Sequence, residues 1–464
     1  MGKYACKRIL SYYRRLNALH CLWNRGSRAG IAGLAVLMLA SCQQTKTADP
    51  QNSPSNRTEA PSKANAEPVD MVIYHPFAGN WSVEKLEQFF GESIHKKFPN
   101  IRPKFLVGGP PGTAIPELIM AKQAIDIVFV SIGATQTQFL DFNLGYDISP
   151  FIQKSRVDLG KFDENSIRQL KELGKGALYG LPLFDSIAAT VYNKDLFDKF
   201  GVAYPRDGIT WDELYELNKK LTVHNGNVQY YGFSAATRDT IGMNQRSAQL
   251  FRPGTDEVLV TTDVWKNLIH DLVRFYAVPG YDTSPAASNA ANQQKRFFDE
   301  RTTAMYIGSS GLPFQRLAGM NFDFATYPVY PETPKAGPAP YPTNIYVTSI
   351  SKHKEQAFQV LDYLTSKEFQ SFAVQDGTQV SVLDDADVKR AFGTKSQMLQ
   401  GKNVSAFLAL QHSPPLASNS YTTIATGAVQ DAIVAVVAGE KDVNTALRQA
   451  EEAANKTIAE RKGK

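Results

Sequence analysis

Between residues 69 and 135 the apolar positions follow two alternating patterns. Val69-Asp-Met-Val-Ile-Tyr74 is nearly continuous and β-branched, the signature of a buried strand, and it ends at His75-Pro76. After Ser82, the residues Val83, Leu86, Phe90 and Ile94 recur at helical spacing until Pro99 ends the pattern. Ile101 to Val107 and Ile125 to Val130 read as second and third strands. Strands alternating with helices in one unit imply a parallel sheet, and ligands of such sheets sit beyond the carboxyl ends of the strands. The loops from His75 to Trp81 and from Ser131 to Thr135 are therefore candidate ligand loops. Gly108-Gly-Pro-Pro-Gly-Thr113 has no Lys after its last Gly, so it reads as a turn rather than a phosphate cradle.

Further along, Gly176-Ala-Leu-Tyr-Gly-Leu-Pro-Leu-Phe-Asp-Ser-Ile-Ala-Ala-Thr-Val-Tyr-Asn-Lys-Asp-Leu-Phe197 predicts a turn, a strand through Tyr192, and a helix capped by Asn193 or Asp195 and closed by Gly201. Thr210-Trp-Asp-Glu213 is a capping box, opening a helix whose Leu214, Leu217 and Leu221 face a core. Trp265, Ile269, Leu272 and Tyr276 form another helical apolar face.

Composition bounds the class. The chain has 464 residues, 43% of them hydrophobic and 20% charged, enough for two or three packed cores. The net charge of +5 is concentrated at the start: Lys3, Lys7, Arg8, Arg14, Arg15, Arg25 and Arg28 precede residue 42, where no acid occurs. Removing those seven charges leaves −2 for the remainder, which argues against a nucleic-acid partner.

That basic stretch leads into the apolar run Ile31 to Ala40 and then Ser41-Cys42. The run is too short to span a bilayer and has the arrangement of an export signal. Leu39-Ala40-Ser41-Cys42 resembles the lipobox of bacterial lipoproteins, in which the Cys thiol carries the lipid, so residues 1–41 read as signal peptide and Cys42 as the lipidated residue. Cys6 and Cys21 would leave with the signal, so no thiol remains for a disulfide or a metal. Residues 42–68 continue as a polar, proline-punctuated tether with an r.m.s. span of roughly 25–30 Å.

The series Tyr179-Gly-Leu-Pro182, Tyr192-Asn-Lys-Asp-Leu-Phe197 and Thr210-Trp-Asp-Glu-Leu214 resembles the family 1 extracellular solute-binding proteins, the carbohydrate receptors of ABC importers. Phe297 to Ser310, Tyr363-Leu-Thr-Ser-Lys-Glu-Phe369 and the Ala438-Gly439 break fit the same series, so the resemblance runs from about residue 70 to 460. It implies an α/β chain of two lobes in a periplasmic-binding-protein-like fold, joined by crossings near Ser186, Tyr341 and Ser381, with a sugar held in the cleft. Lobe 1 would comprise 69–186 plus about 342–381, and lobe 2 187–341 plus about 382–464. The implied protein is a monomer without cofactor or metal, tethered to the bacterial cell membrane by its lipid, delivering carbohydrate to permease subunits.

A sugar site needs flat apolar faces for pyranose rings and carboxylates or amides for hydroxyls. Trp23 lies in the signal, and Trp211 and Trp265 lie on core stripes, which leaves Trp81 in a strand-end loop as the stacking candidate. His75 and Ser131 occupy the same predicted edge. Asp185 and Ser186 fall where the resemblance places a ligand loop and a crossing, and Ser309 and Ser310 fall in its cleft turn. Where many members carry an aromatic just after that turn this chain has Gly311 and Leu312, so Phe314, Tyr346 or Tyr421 are candidates for the missing ring.

The rival reading is a lipid-anchored extracellular hydrolase acting on carbohydrate or ester substrates. Ser-x-x-Lys occurs at Ser82/Lys85, Ser93/Lys96, Ser349/Lys352 and Ser351/Lys354, but no completing Ser-Asp-Asn or Lys-Thr-Gly accompanies it. Neither Gly-x-Ser-x-Gly nor His-Glu-x-x-His occurs. An adhesin or sensor would share the anchor and could share the fold; dependence of uptake on a permease separates it.

Overall fold

A computed structural model describes residues 67–463, apart from 78–80, 187, 236, 287–288 and 309–311. The signal, Cys42 and nearly all of the tether lie outside the described residues, as do Ser309 and Ser310.

Thirteen strands are described in chain order: β1 Val69–His75, β2 Ile101–Val107, β3 Ile127–Ser131, β4 Gly180–Asp185, β5 Ala189–Asn193, β6 Val223–Asn225, β7 Val228–Ala235, β8 Thr303–Gly308, β9 Phe322–Thr326, β10 Ala336–Gly337, β11 Thr343–Val347, β12 Val380–Ser381 and β13 Gln411–His412. Six of them form one sheet in the order β12-β4-β11-β3-β1-β2, and five form another in the order β6-β7-β8-β5-β9. The expected parallel core is present, since β1 pairs in parallel with both β2 and β3; β11 then joins β3 and β4 antiparallel. The chain leaves the first sheet at Asp185 and enters the second at Ala189, a two-lobed α/β arrangement.

Local chemistry accounts for these elements. In β1 every position except Asp70 is buried, as its apolar run requires. Buried Asp126 accepts from the Val72 backbone N–H at 2.9 Å and from Ser351 Oγ at 2.6 Å, tying β1 to the segment after β11. The helix opening at Ser82 buries Leu86, Phe90 and Ile94 but leaves Val83 exposed, and it widens into a π turn at Glu87–Gly91. Asn193, rather than Asp195, caps the next helix by accepting from the Asp195 N–H, and Gly201 closes it at φ 65°. The Thr210–Glu213 capping box forms as expected, with Leu214 and Leu221 buried and Leu217 half-buried. Gly439, at φ 72°, breaks the long helices Thr422–Val437 and Val443–Lys462, which pack into the second lobe's core.

Candidate functional site: an interlobe cavity

A cavity of about 1070 Å³ opens between the two sheets. From the first lobe it takes the strand-end loops, with Phe77, Trp81, Ser131 and Gly133, and the end of β4, with Asp185 and Ser186. From the second lobe it takes Arg238 and Asp239 beyond β7, and Leu312, Phe314 and Gln315 beyond β8. Since β7 and β8 are themselves parallel, carboxyl strand ends supply both walls.

One wall is a run of aromatic rings. Trp81 meets Phe89 edge-on at 5.5 Å between centroids, and Phe89 meets Phe372 at 6.0 Å. Phe77 and Phe372 are 44% and 47% exposed, unusual for phenylalanine and consistent with rings that face a ligand space. Trp81 also packs on Phe90 and Phe129, so it both lines the cavity and fastens its loop to the lobe. The same cavity is lined by the amide residues Gln88, Gln138 and Gln379 and by Thr378. The π turn at Glu87–Gly91 carries Gln88 and Phe89, so that irregularity in the helix falls where it lines the cavity.

Trp81, Ser131, Asp185, Ser186 and Phe314 thus come together in one cavity. Three expected ligand residues do not line it. The His75 ring is buried, stacked on Phe129 at 4.3 Å with Nδ1 3.0 Å from the Phe129 carbonyl; burial pushes its pKa down, partly offset by that carbonyl. Tyr346, 1% exposed, stacks on Phe139 and shares a 2.8 Å hydrogen bond with Thr135, because β11 is a central strand whose side chains are enclosed. Tyr421 packs on the second lobe's core with the Lys462 ammonium 5.4 Å from its ring, while its neighbour Thr423 reaches the cavity.

Asp185 lies in the wall, but its carboxylate is already engaged. Oδ2 is 2.9 Å from His412 Nε2, and Oδ1 accepts from the Ser186 N–H at 2.7 Å. His412 Nδ1 lies 3.3 Å from Asp163 Oδ1. Burial opposes the charge on His412, yet Asp185 and Asp163 overcome it and its pKa is pushed up to about 10. A lone His far along the chain carries no local signal of this role.

Phe77 lies in the expected loop from His75 to Trp81 without being singled out there, and Phe89, Phe372, Arg238, Asp239 and Tyr341 are further lining residues not named as ligand candidates. Tyr341 lies against Gly133 so closely that a Cβ there would fall 2.0 Å from the phenol oxygen; Gly133 is the space Tyr341 occupies. Gly133, Arg238, Asp239, Tyr341 and Thr423 also border a smaller chamber of about 80 Å³.

The serines of the Ser-x-x-Lys matches serve structural roles. Ser82 caps its helix, Ser93 donates to the Phe89 carbonyl, Ser349 donates to the Asn143 carbonyl, and buried Ser351 donates to Asp126.

The model of the bacterial extracellular solute-binding protein family matches residues 80–371, well over half of the chain. The chain belongs to that family. That family consists of extracellular proteins that bind solutes, which places this chain among the extracytoplasmic solute-binding proteins. A substrate-binding protein of an ABC transporter from Listeria monocytogenes, solved in complex with cycloalternan, superposes with a TM-score of 0.67 at 18% identity, over 85% of this chain and 100% of that one. A sugar transporter protein from Rhizobium etli, solved in an open conformation, also gives 0.67, at 19% identity over 83% and 99% of the two chains. A Brucella abortus protein, whose name marks it only as a binding protein, is 26% identical over 218 residues, 43% of this chain. The chain spans about half the length of that curated relative.

Proposed function

We propose that this solute-binding protein holds a sugar or oligosaccharide in the interlobe cavity and delivers it, unaltered, to the membrane permease of an ABC importer. The observation that carries this reading is the lining itself: Trp81, Phe89, Phe372 and Phe77 line one cavity together with Gln88, Gln138, Gln379 and Thr378. Apolar ring faces suit the C–H surfaces of pyranoses, and amides and hydroxyls suit their hydroxyl rims. At about 1070 Å³ the space lies just above the usual range of about 300–1,000 Å³ for small-ligand sites, which favours more than one sugar ring. The Listeria structure, with cycloalternan bound, points the same way. Ser131, Asp185 and Ser186 are the first-lobe polar contacts in this reading, and Ser309 and Ser310 those of the second.

Lobe 1, as 69–186 plus about 342–381, and lobe 2, as 187–341 plus about 382–464, act as the two jaws of a monomer. Ligand touching both stabilises the closed state by its higher affinity for that state, and the permease recognises the closed form. Cys42 carries the lipid that holds the protein at the membrane.

The test is calorimetric titration against a carbohydrate panel, followed by chromatographic recovery of the bound sugar. Stoichiometric binding with the sugar returned intact supports the reading; cleavage at many turnovers per protein replaces it with the hydrolase. Cys42→Ala should abolish lipid labelling, and labelling that persists removes the anchor assignment.

A further inference from the structure

His412 sits where three parts of the chain meet. Its ring lies between Asp163, which caps helix Glu164–Leu173 by accepting from the Ser166 N–H at 2.9 Å, and Asp185, the last residue of β4 before the chain crosses between sheets. Its strand, β13, pairs in parallel with β10, just ahead of Tyr341.

The segment beginning at His412 is stitched on two sides. On the first-lobe side, Asn165 Nδ2 donates to the His412 carbonyl at 3.0 Å and Gln169 Nε2 to the Leu416 carbonyl at 3.4 Å, two residues one turn apart on the same helix. On the second-lobe side, Ser247 Oγ donates to the Pro414 carbonyl at 2.9 Å and Gln249 Nε2 to the Pro415 carbonyl at 3.2 Å, while Gln249 Oε1 accepts from the Ala417 N–H at 2.9 Å. Residues 412–417 therefore form a strap between the jaws. Its other bonds come from neutral groups, and the His412 ring is its ionic link to the first lobe.

We propose that His412 is the pin that clamps this strap to lobe 1, and that it is a positioning residue for the cleft: it holds Asp185 in the wall and fixes the element about which the jaws move. With one ring nitrogen donating to each carboxylate, the imidazolium spans Asp163 and Asp185 at once. Removing it leaves two partly buried carboxylates facing each other without their shared cation, so the helix start and the end of β4 separate and the strap loosens at its first-lobe end. Only the consequence for ligand affinity rests on the sugar-binding reading; the clamp itself does not.

The test uses the whole protein without ligand. Nitrogen NMR of the histidine rings at pH 8 should show both His412 nitrogens protonated while unperturbed histidines are neutral. His412→Gln should speed amide hydrogen exchange about tenfold or more in both 412–417 and 180–186, with helix Val443–Lys462 unaffected. His412→Arg, which keeps a cation, should restore much of the protection. A neutral His412 ring at pH 8 overturns the proposal, as does unchanged exchange in both segments of folded His412→Gln. If His412→Gln does not fold, the ring-nitrogen spectrum of the parent decides alone. Failure of every sugar in the panel to bind would remove the sugar reading and leave these outcomes untouched.

Discussion

Trp81 meets Phe89 edge-on with 5.5 Å between ring centroids, and both rings line the interlobe cavity although they arise from a loop and from the helix that follows it. Their losses are therefore coupled. Trp81→Ala and Phe89→Ala should each weaken binding of the best panel sugar by about 1–3 kcal/mol, with a double variant that departs from additivity by about 0.5 kcal/mol or more. Calorimetric titration of the three variants checks this, and strict additivity would show that the rings contact ligand independently.

Phe372 separates the two roles that Trp81 combines. At 47% exposed, its truncation should leave the melting temperature nearly unchanged while weakening binding. Trp81→Ala should do both, because Trp81 also packs on Phe90 and Phe129. Equal melting losses in Phe372→Ala and Trp81→Ala would contradict this division.

Trp211 and Trp265 are core residues whose indole N–H groups donate to Gln245 Oε1 and to the Gln249 carbonyl. Replacing either with Ala should cost about 3–5 kcal/mol of stability, read by denaturant unfolding, with affinity retained in the fraction that folds. A large affinity loss with unchanged stability would move these rings into the site.

Gly133→Ala tests the close approach of Tyr341. The added Cβ would meet the phenol at 2.0 Å, so the ring must move, and overpacking of this kind costs about 1–3 kcal/mol. Because Tyr341 lines the cavity, affinity should fall with stability; Tyr341→Ala in the same background should recover the stability. No recovery in the double variant would locate the strain elsewhere.

The pH dependence of stability follows from His412 and Asp163, which meet at the pin beside Asp185. His412 binds its proton more tightly when folded, so its contribution is complete below its ordinary value of 6.5 and is lost as pH rises through about 10. Burial alone would raise Asp163, but His412 and the bonds from Ser166 hold it below 3.8, so its contribution is present above that value and is lost as pH falls below it. The melting difference between parent and His412→Gln should be largest between about pH 4 and 6.5 and shrink toward pH 10. Breaking such a pair costs about 3–5 kcal/mol where it is buried. A difference constant from pH 5 to 10 would mean that the ring contributes packing alone.

The sequence by itself determined the local elements whose causes lie within a few residues. The apolar run of β1, the capping box at Thr210, Gly201 as a helix end and the strand-end loops are each set by side chains adjacent in the chain, because backbone sterics and capping bonds act over one or two turns. It also marked Trp81, Ser131 and Asp185 as cavity residues, through the rule that parallel strands present ligands at their carboxyl ends and through family resemblance. Only the tertiary structure decided which side chains are enclosed and which are free. Tyr346 and Tyr421 look alike in sequence to Phe77 and Phe372, yet central-strand packing enclosed the first and core packing held the second, while the other two rings were left partly exposed at the cleft. The partnership of His412 with Asp163 and Asp185, residues 249 and 227 positions earlier, was equally invisible. An ion pair's strength depends on separation and burial in space, and no periodicity along the chain encodes either.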